Sequence, residues 1–159
     1  DAGMEPLLAL SARNINESMP RVSAFEISEI IKRQKPGAGG SVLLLGYAYK
    51  ADLGDTRETP VENLADELIR LGIKPIIWDP VVPPGGVPDR FERIDSLKGC
   101  PPVDCVVIST AHRQVLEIDW GSLKDVSGCS SVYDGRRAVN KDIMSELGWN
   151  YSGVGASST

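Results

Sequence analysis

Four short stretches, Val42 to Leu45, Ile76 to Trp78, Val103 to Ile108 and Ser131 to Tyr133, are apolar along most of their length rather than alternating with polar residues. A strand that is apolar on both sides must be covered on both faces, which is the condition of a strand inside a parallel sheet sandwiched by helices. Between the first two runs, Val61, Leu64, Ala65, Leu68 and Ile69 fall at i, i+3, i+4, i+7 and i+8, the spacing of an amphipathic helix. Thr59 with Glu62 predicts a capping box, Pro60 occupies the first helical position, and Gly72 supplies a left-handed stop. Asp66 and Arg70 predict an i,i+4 pair on the wet face. Strand, long loop, capped helix and strand make a βαβ unit. Its repetition predicts a Rossmann-like, three-layer α/β fold with a parallel sheet of five or six strands and helices on both faces.

Ahead of this unit, residues 5–34 read as helix, with Pro20 expected to break or kink it. Leu7, Leu8, Leu10, Ile15 and Met19 give that helix an apolar face too large for a free tail. One Pro and three Gly in residues 35–40 then form a connector. Residues 1–38 are accordingly expected to be a helical segment plus linker and residues 39–159 the α/β domain, with 156–159 as a disordered tail.

At 159 residues the chain holds one domain's worth of core. Seventeen Lys and Arg against twenty-two Asp and Glu leave a net charge of −5, which argues against a basic nucleic-acid surface. No apolar stretch approaches the roughly 20 residues of a membrane helix, and the opening residues lack the layout of a secretory signal. Cys100, Cys105 and Cys129 are an odd number without a C-x-x-C pair, so neither a disulfide framework nor a zinc site is indicated and a reducing, cytoplasmic setting is expected. Cys105, inside an apolar run, reads as a small buried hydrophobe.

Ligands of open α/β sheets bind at the carboxyl ends of the strands, so the residues after each apolar run are the candidates for chemistry. The first run is followed by residues 46–60, which include Tyr49, Lys50, Asp52, Asp55, Arg57 and Glu58, far more functional groups than a turn requires. Lys50, Arg57 and the N-terminus of the helix at Pro60 suit an anion, phosphate or pyrophosphate. Arg57 has the alternative of pairing locally with Asp55 or Glu58. Gly46-x-Ala48 is only a weak dinucleotide fingerprint, because no third small residue opens the helix at the required spacing. The later runs end at Asp79-Pro80, at Ser109 to Arg113 and at Asp134 to Arg137, where a basic pair stands at the ligand edge and Arg137 reads as a cap or salt-bridge partner. His112, the single histidine, has no nucleophile or carboxylate fixed beside it and reads as structural rather than as a general base.

Gly46-x-Ala48-Tyr49-Lys50, then Asp55-Thr56-Arg57-Glu58-Thr59-Pro60, Asp79-Pro80 and Asp134-Gly135-Arg136 together resemble the C-terminal domain of the UDP-glucose/GDP-mannose dehydrogenase family. Ala12-Arg13-x-Ile15-Asn16 with Met19-Pro20 resembles the end of that family's central helical domain, and Tyr151-x-Gly153-Val154-Gly155 is most similar to its UDP-N-acetyl-sugar branch. Thr59 stands where Ser is commoner, which keeps the capping hydroxyl.

The resemblance implies an NAD-dependent enzyme, homodimeric or larger, that oxidises the C6 hydroxyl of a nucleotide-sugar to a carboxylate in two hydride transfers through a thiohemiacetal. Tyr49, Lys50 and Arg136 would then bind the UDP-sugar, and Arg57 would reach the NAD held mainly by an N-terminal domain. The family's Gly-Gly-His-Cys-Ile-Pro motif has no match, and Cys100-Pro101-Pro102 does not replace it, so no catalytic residue is expected here and the chain alone is predicted to be inactive. The alternatives are a stand-alone nucleotide-binding or interaction module and a GDP-mannose dehydrogenase C-terminal domain.

Overall fold

The computed structural model describes residues 4–37 and 39–155. Six parallel strands form a single sheet in the order β3-β2-β1-β4-β5-β6, with β1 at Gly40–Leu45, β2 at Ile73–Trp78, β3 at Glu92–Arg93, β4 at Cys105–Ile108, β5 at Ser131–Asp134 and β6 at Asn150–Gly153. The helices are α1 (Met4–Gln34), α2 (Pro60–Arg70), α3 (Arg113–Leu116), α4 (Trp120–Ser127) and α5 (Lys141–Glu146). The expected fold class is the one observed.

The solidly apolar run in β1 has a simple cause. Val42 and Leu44 face a core made with Ala24, Ile27 and Ile31 of α1 and Leu64, Ala65 and Leu68 of α2. Leu43 and Leu45 face a second core with Val115 of α3, Trp120 and Leu123 of α4, and Met144 of α5. All four β1 side chains are fully buried, as a central strand between two helical layers requires. Trp120 and Trp149 close the second core edge to face, at 5.7 Å between ring centroids.

The two strands with no apolar run, β3 and β6, sit at the sheet's edges. Glu92–Arg93 is two residues long, and Asn150–Gly153 is polar and half exposed. An edge strand has one neighbour and one open side, so nothing forces it to be apolar.

α1 runs unbroken through Pro20, against the expected interruption. Proline removes one donor, which releases the carbonyl of Asn16. Asn16 is exposed and open to water, while Ala24, Ile27 and Ile31 hold the following turns on the sheet. Ile15 is 60% exposed. The expected contributions of Leu7, Leu8 and Leu10 lie outside the described side chains, and the expected tail at 156–159 lies outside the described residues.

Two local expectations for α2 are corrected. Thr59 caps it, accepting from the Val61 N–H at 3.3 Å, but Glu62 does not close the capping box. Arg90 comes over the helix instead and pairs with Glu62 at 2.6 Å and Asp66 at 3.1 Å. Arg70, left without Asp66, pairs with Glu67. Two carboxylates one turn apart make a better seat for a guanidinium, which also packs over the Phe91 ring at 4.4 Å, than a single flexible partner on the same helix.

Candidate functional site

Strand order reverses between β1 and β4, and the register aligns Leu45 with Trp78 on one side and with Ile108 on the other, and Ile108 with Asp134. Four strand ends therefore finish at one level, and their loops meet above the switch point, where open α/β sheets bind ligands.

The loop after β1 is built by two buried side chains that do not line the cleft. The Asp79 carboxylate, just past β2, accepts from the main-chain N–H groups of Tyr47 at 2.7 Å, Ala48 at 3.0 Å, and Val81 and Val82 at 2.8 Å each. It also meets His112 Nε2 at 2.8 Å. Burial by itself would raise the Asp79 pKa, but hydrogen bonds from His112 and from the N–H groups of Tyr47, Val82 and Ala48 outweigh it, and the carboxyl is held well below the usual carboxylate range. Asp134 organises the loop after β5 in the same way, accepting from Arg136, Ala138 and Val139 N–H groups and from the Tyr151 hydroxyl. The acidic residues at these strand ends are thus turn organisers, and His112 lies fully buried outside the cleft with the Asp79 carboxylate fixed beside it, a partner that was not expected because 33 residues of chain separate the two.

A cleft of about 750 Å³ opens between α1, the N-terminus of α2 and the ends of β4 and β5. Tyr49, Lys50 and Arg136 line it together. Lys50 Nζ lies 5.8 Å from the Tyr49 ring centroid. Arg136 is fixed by its Nε, which donates to the Ser109 carbonyl at 2.8 Å, and the guanidinium's two terminal amino groups form no ion pair among the described residues.

Arg13 and Asn16 of α1 also line the cleft, which the motif spacing around Lys50 gave no reason to include. A helical signal was present: Ala9, Ala12, Arg13, Asn16, Pro20 and Ser23 recur at intervals of three and four and form one face. Arg13, Lys50 and Arg136 are opposed only by Glu17 and Glu58 among the charged residues of the lining, so the cleft leans cationic in a chain of net charge −5. Such a surface suits a phosphorylated ligand.

Arg57 is placed elsewhere. It is exposed and forms a two-pronged pair with Asp55, at 3.0 and 2.8 Å, which draws the Asp55 pKa down to about 2. It does not line the cleft.

Among the described residues, the junction of β1 and α2 does not make a cradle for a dinucleotide. Residues 46–59 separate β1 from α2, and the close approach that Gly46 allows is taken up by Thr110 rather than left open to a ligand. Cys100, Cys105 and Cys129 are all buried, and burial pushes each thiol pKa up, the opposite of what a nucleophile needs. Among the described residues no group of three His, Cys, Asp or Glu is placed to hold a metal, and no helix is long and apolar enough to cross a membrane.

Fold and cleft together define a doubly wound α/β domain with an anion-suited site at its switch point. The chain belongs to the UDP-glucose/GDP-mannose dehydrogenase family, whose UDP binding domain matches residues 43–141. It is 29% identical over 146 residues to UDP-N-acetyl-D-mannosamine dehydrogenase of Pyrococcus horikoshii, covering 91% of this chain and 32% of that protein. It is 23% identical over 127 residues to UDP-glucose 6-dehydrogenase of Rickettsia typhi, covering 74% of this chain and 28% of that protein. The structure of an NDP-N-acetyl-D-galactosaminuronic acid dehydrogenase from Methanosarcina mazei superposes with a TM-score of 0.82 at 26% identity, over 94% of this chain and 32% of that one. The chain spans about a third of the length of the curated relatives it matches.

Proposed function

We propose that this chain is the UDP-sugar-binding C-terminal part of an NAD-dependent nucleotide-sugar 6-dehydrogenase acting in the cytoplasm. The observation that carries this reading is the convergence of Tyr49, Lys50 and Arg136 on one cleft at the switch point of a domain that matches the family's UDP-binding domain. In this reading residues 1–38 close the central domain and residues 39–159 hold the nucleotide. Lys50 supplies a compact charge and Arg136 a pre-set fork for diphosphate or sugar oxygens, with Tyr49 offering a ring face. The N-terminal and central domains of the same polypeptide would supply the NAD cradle and the nucleophile, and Arg57 would reach the cofactor from the rim. Full-length enzyme is then a homodimer or larger.

Calorimetric titration of UDP tests the assignment. A charge-assisted hydrogen bond contributes about 1.5–3 kcal/mol, so Lys50→Ala and Arg136→Ala are each expected to weaken binding about tenfold or more. Arg57→Ala is expected to leave the affinity unchanged, because Arg57 lies outside the cleft and pairs with Asp55. Equal affinities for wild type, Lys50→Ala and Arg136→Ala would sink the reading.

The chain alone is expected to catalyse nothing. Hydride transfer needs a nicotinamide held beside the sugar carbon and the second oxidation needs a thiolate, whereas the chain's three thiols are buried with raised pKa and its Gly46-x-Ala48 is a weak dinucleotide fingerprint. Mixing the chain with NAD and a panel of UDP- and GDP-sugars should give no sustained absorbance of reduced cofactor. Production that vanishes in Cys100→Ser, Cys105→Ser or Cys129→Ser would overturn this expectation.

A further inference from the structure

The loop segment that carries Tyr49 and Lys50 is tied at both ends to one buried pair of side chains. At its start the Tyr47 and Ala48 N–H groups donate to Asp79 Oδ2. At its end the Asp52 N–H donates to His112 Nδ1 at 2.8 Å, and His112 Nε2 meets the same Asp79 Oδ2 at 2.8 Å. A main-chain N–H can only donate, so Nδ1 carries the lone pair and Nε2 carries the proton given to Asp79. Asp52 itself holds a left-handed backbone, φ 62°, and its carboxylate accepts from the Arg113 N–H at 2.8 Å. Aspartate tolerates that conformation better than most non-glycine residues, and the contacts to His112 and Arg113 hold it there. His112 and Asp79 are fully buried and outside the cleft, while Tyr49 and Lys50, between the two anchors, are exposed and line it.

We propose that His112 is a positioning residue for nucleotide binding: its Nδ1 holds the Asp52 end of the loop so that Tyr49 and Lys50 are presented to the cleft already ordered. The inference rests on the reading that UDP occupies this cleft. A loop ordered before the ligand arrives spares the binding event the cost of ordering it, which appears as affinity.

The two ring nitrogens can be separated by substitution. In His112→Asn an amide oxygen takes the position of Nδ1 and keeps the acceptor for Asp52, but the donor to Asp79 is lost. In His112→Gln an amide nitrogen takes the position of Nε2 and keeps the donor to Asp79, but the acceptor for Asp52 is lost. The 159-residue chain carrying each substitution would be measured for UDP affinity by calorimetry, for thermal midpoint, and for amide hydrogen exchange at residues 49–53. His112→Gln is expected to bind UDP about tenfold more weakly and to exchange faster at 49–53, yet to melt above His112→Asn, which should bind close to wild type. Stability and affinity would then change in opposite order, which a purely structural histidine does not produce. Affinities that follow the melting temperatures, or equal exchange at 49–53 in the two variants, would overturn the proposal. If wild type fails to bind UDP, the ligand assignment fails by itself, and the exchange rates still decide whether His112 orders the loop.

Discussion

Asp79→Ala is expected to cost about 3–5 kcal/mol, the range for removing one partner of a buried charged network. Five donors converge on that carboxylate: His112 Nε2 and the N–H groups of Tyr47, Ala48, Val81 and Val82. Alanine leaves all of them without an acceptor in a dry site, and each unsatisfied group costs about 1–3 kcal/mol before water or rearrangement recovers part of the loss. A small domain has about 5–15 kcal/mol in total, so the variant is expected to unfold at a much lower urea concentration, if it folds at all. Urea titration followed by circular dichroism measures it, and a loss below about 1 kcal/mol would refute the role given to this residue.

The same carboxylate sets an acid limit. Its pKa is lowered on folding from an ordinary value of 3.8, so the stability it contributes is present above that value and is lost as pH falls below it. Wild-type stability should decline between about pH 4 and pH 2, and the decline should be shallower in Asp79→Asn, which no longer titrates.

Gly46→Ala is expected to cost about 2–4 kcal/mol and to displace the loop that bears Lys50. Gly46 has φ 94°, where a side chain is strained whatever the space, and an added Cβ would lie 2.4 Å from Thr110 Cβ and 2.6 Å from Thr110 O. Neither backbone can yield. The Gly46 N–H donates to the Trp78 carbonyl at 2.8 Å, the Thr110 N–H to the Leu45 carbonyl at 3.0 Å, and the Thr110 hydroxyl to the Ala48 carbonyl at 2.8 Å. The clash therefore falls where the chain leaving β1 meets the chain leaving β4, at the switch point. Thermal unfolding and UDP titration should both register the change, and a variant with wild-type melting would show that the two loops separate more easily than their hydrogen bonds imply.

Much of this architecture was legible in the residues. Val42 to Leu45 announced a strand buried on both faces, because a central strand can be apolar throughout only where helices cover each side. The spacing from Val61 to Leu68, with Thr59 ahead and Gly72 behind, located α2, because its cap and its buried stripe are properties of one short segment. Lys50 and Arg136 were found as strand-end cations and do share a cleft. By contrast β3 and β6 carry no apolar run, since an edge strand is held by main-chain hydrogen bonds that any residue supplies.

What tertiary structure alone decided is which distant groups meet. Arg90 takes Glu62 and Asp66 from their expected partners across 24 residues or more of chain, Arg13 and Asn16 enter the cleft from a helix that precedes the first strand, and Asp79 and His112 meet across 33 residues. Local patterns record how a segment buries itself, and burial is set by a residue's neighbours within a few positions. Partnerships between loops are set by sheet register and strand order, which depend on every element at once and leave no mark in the spacing of the residues they join.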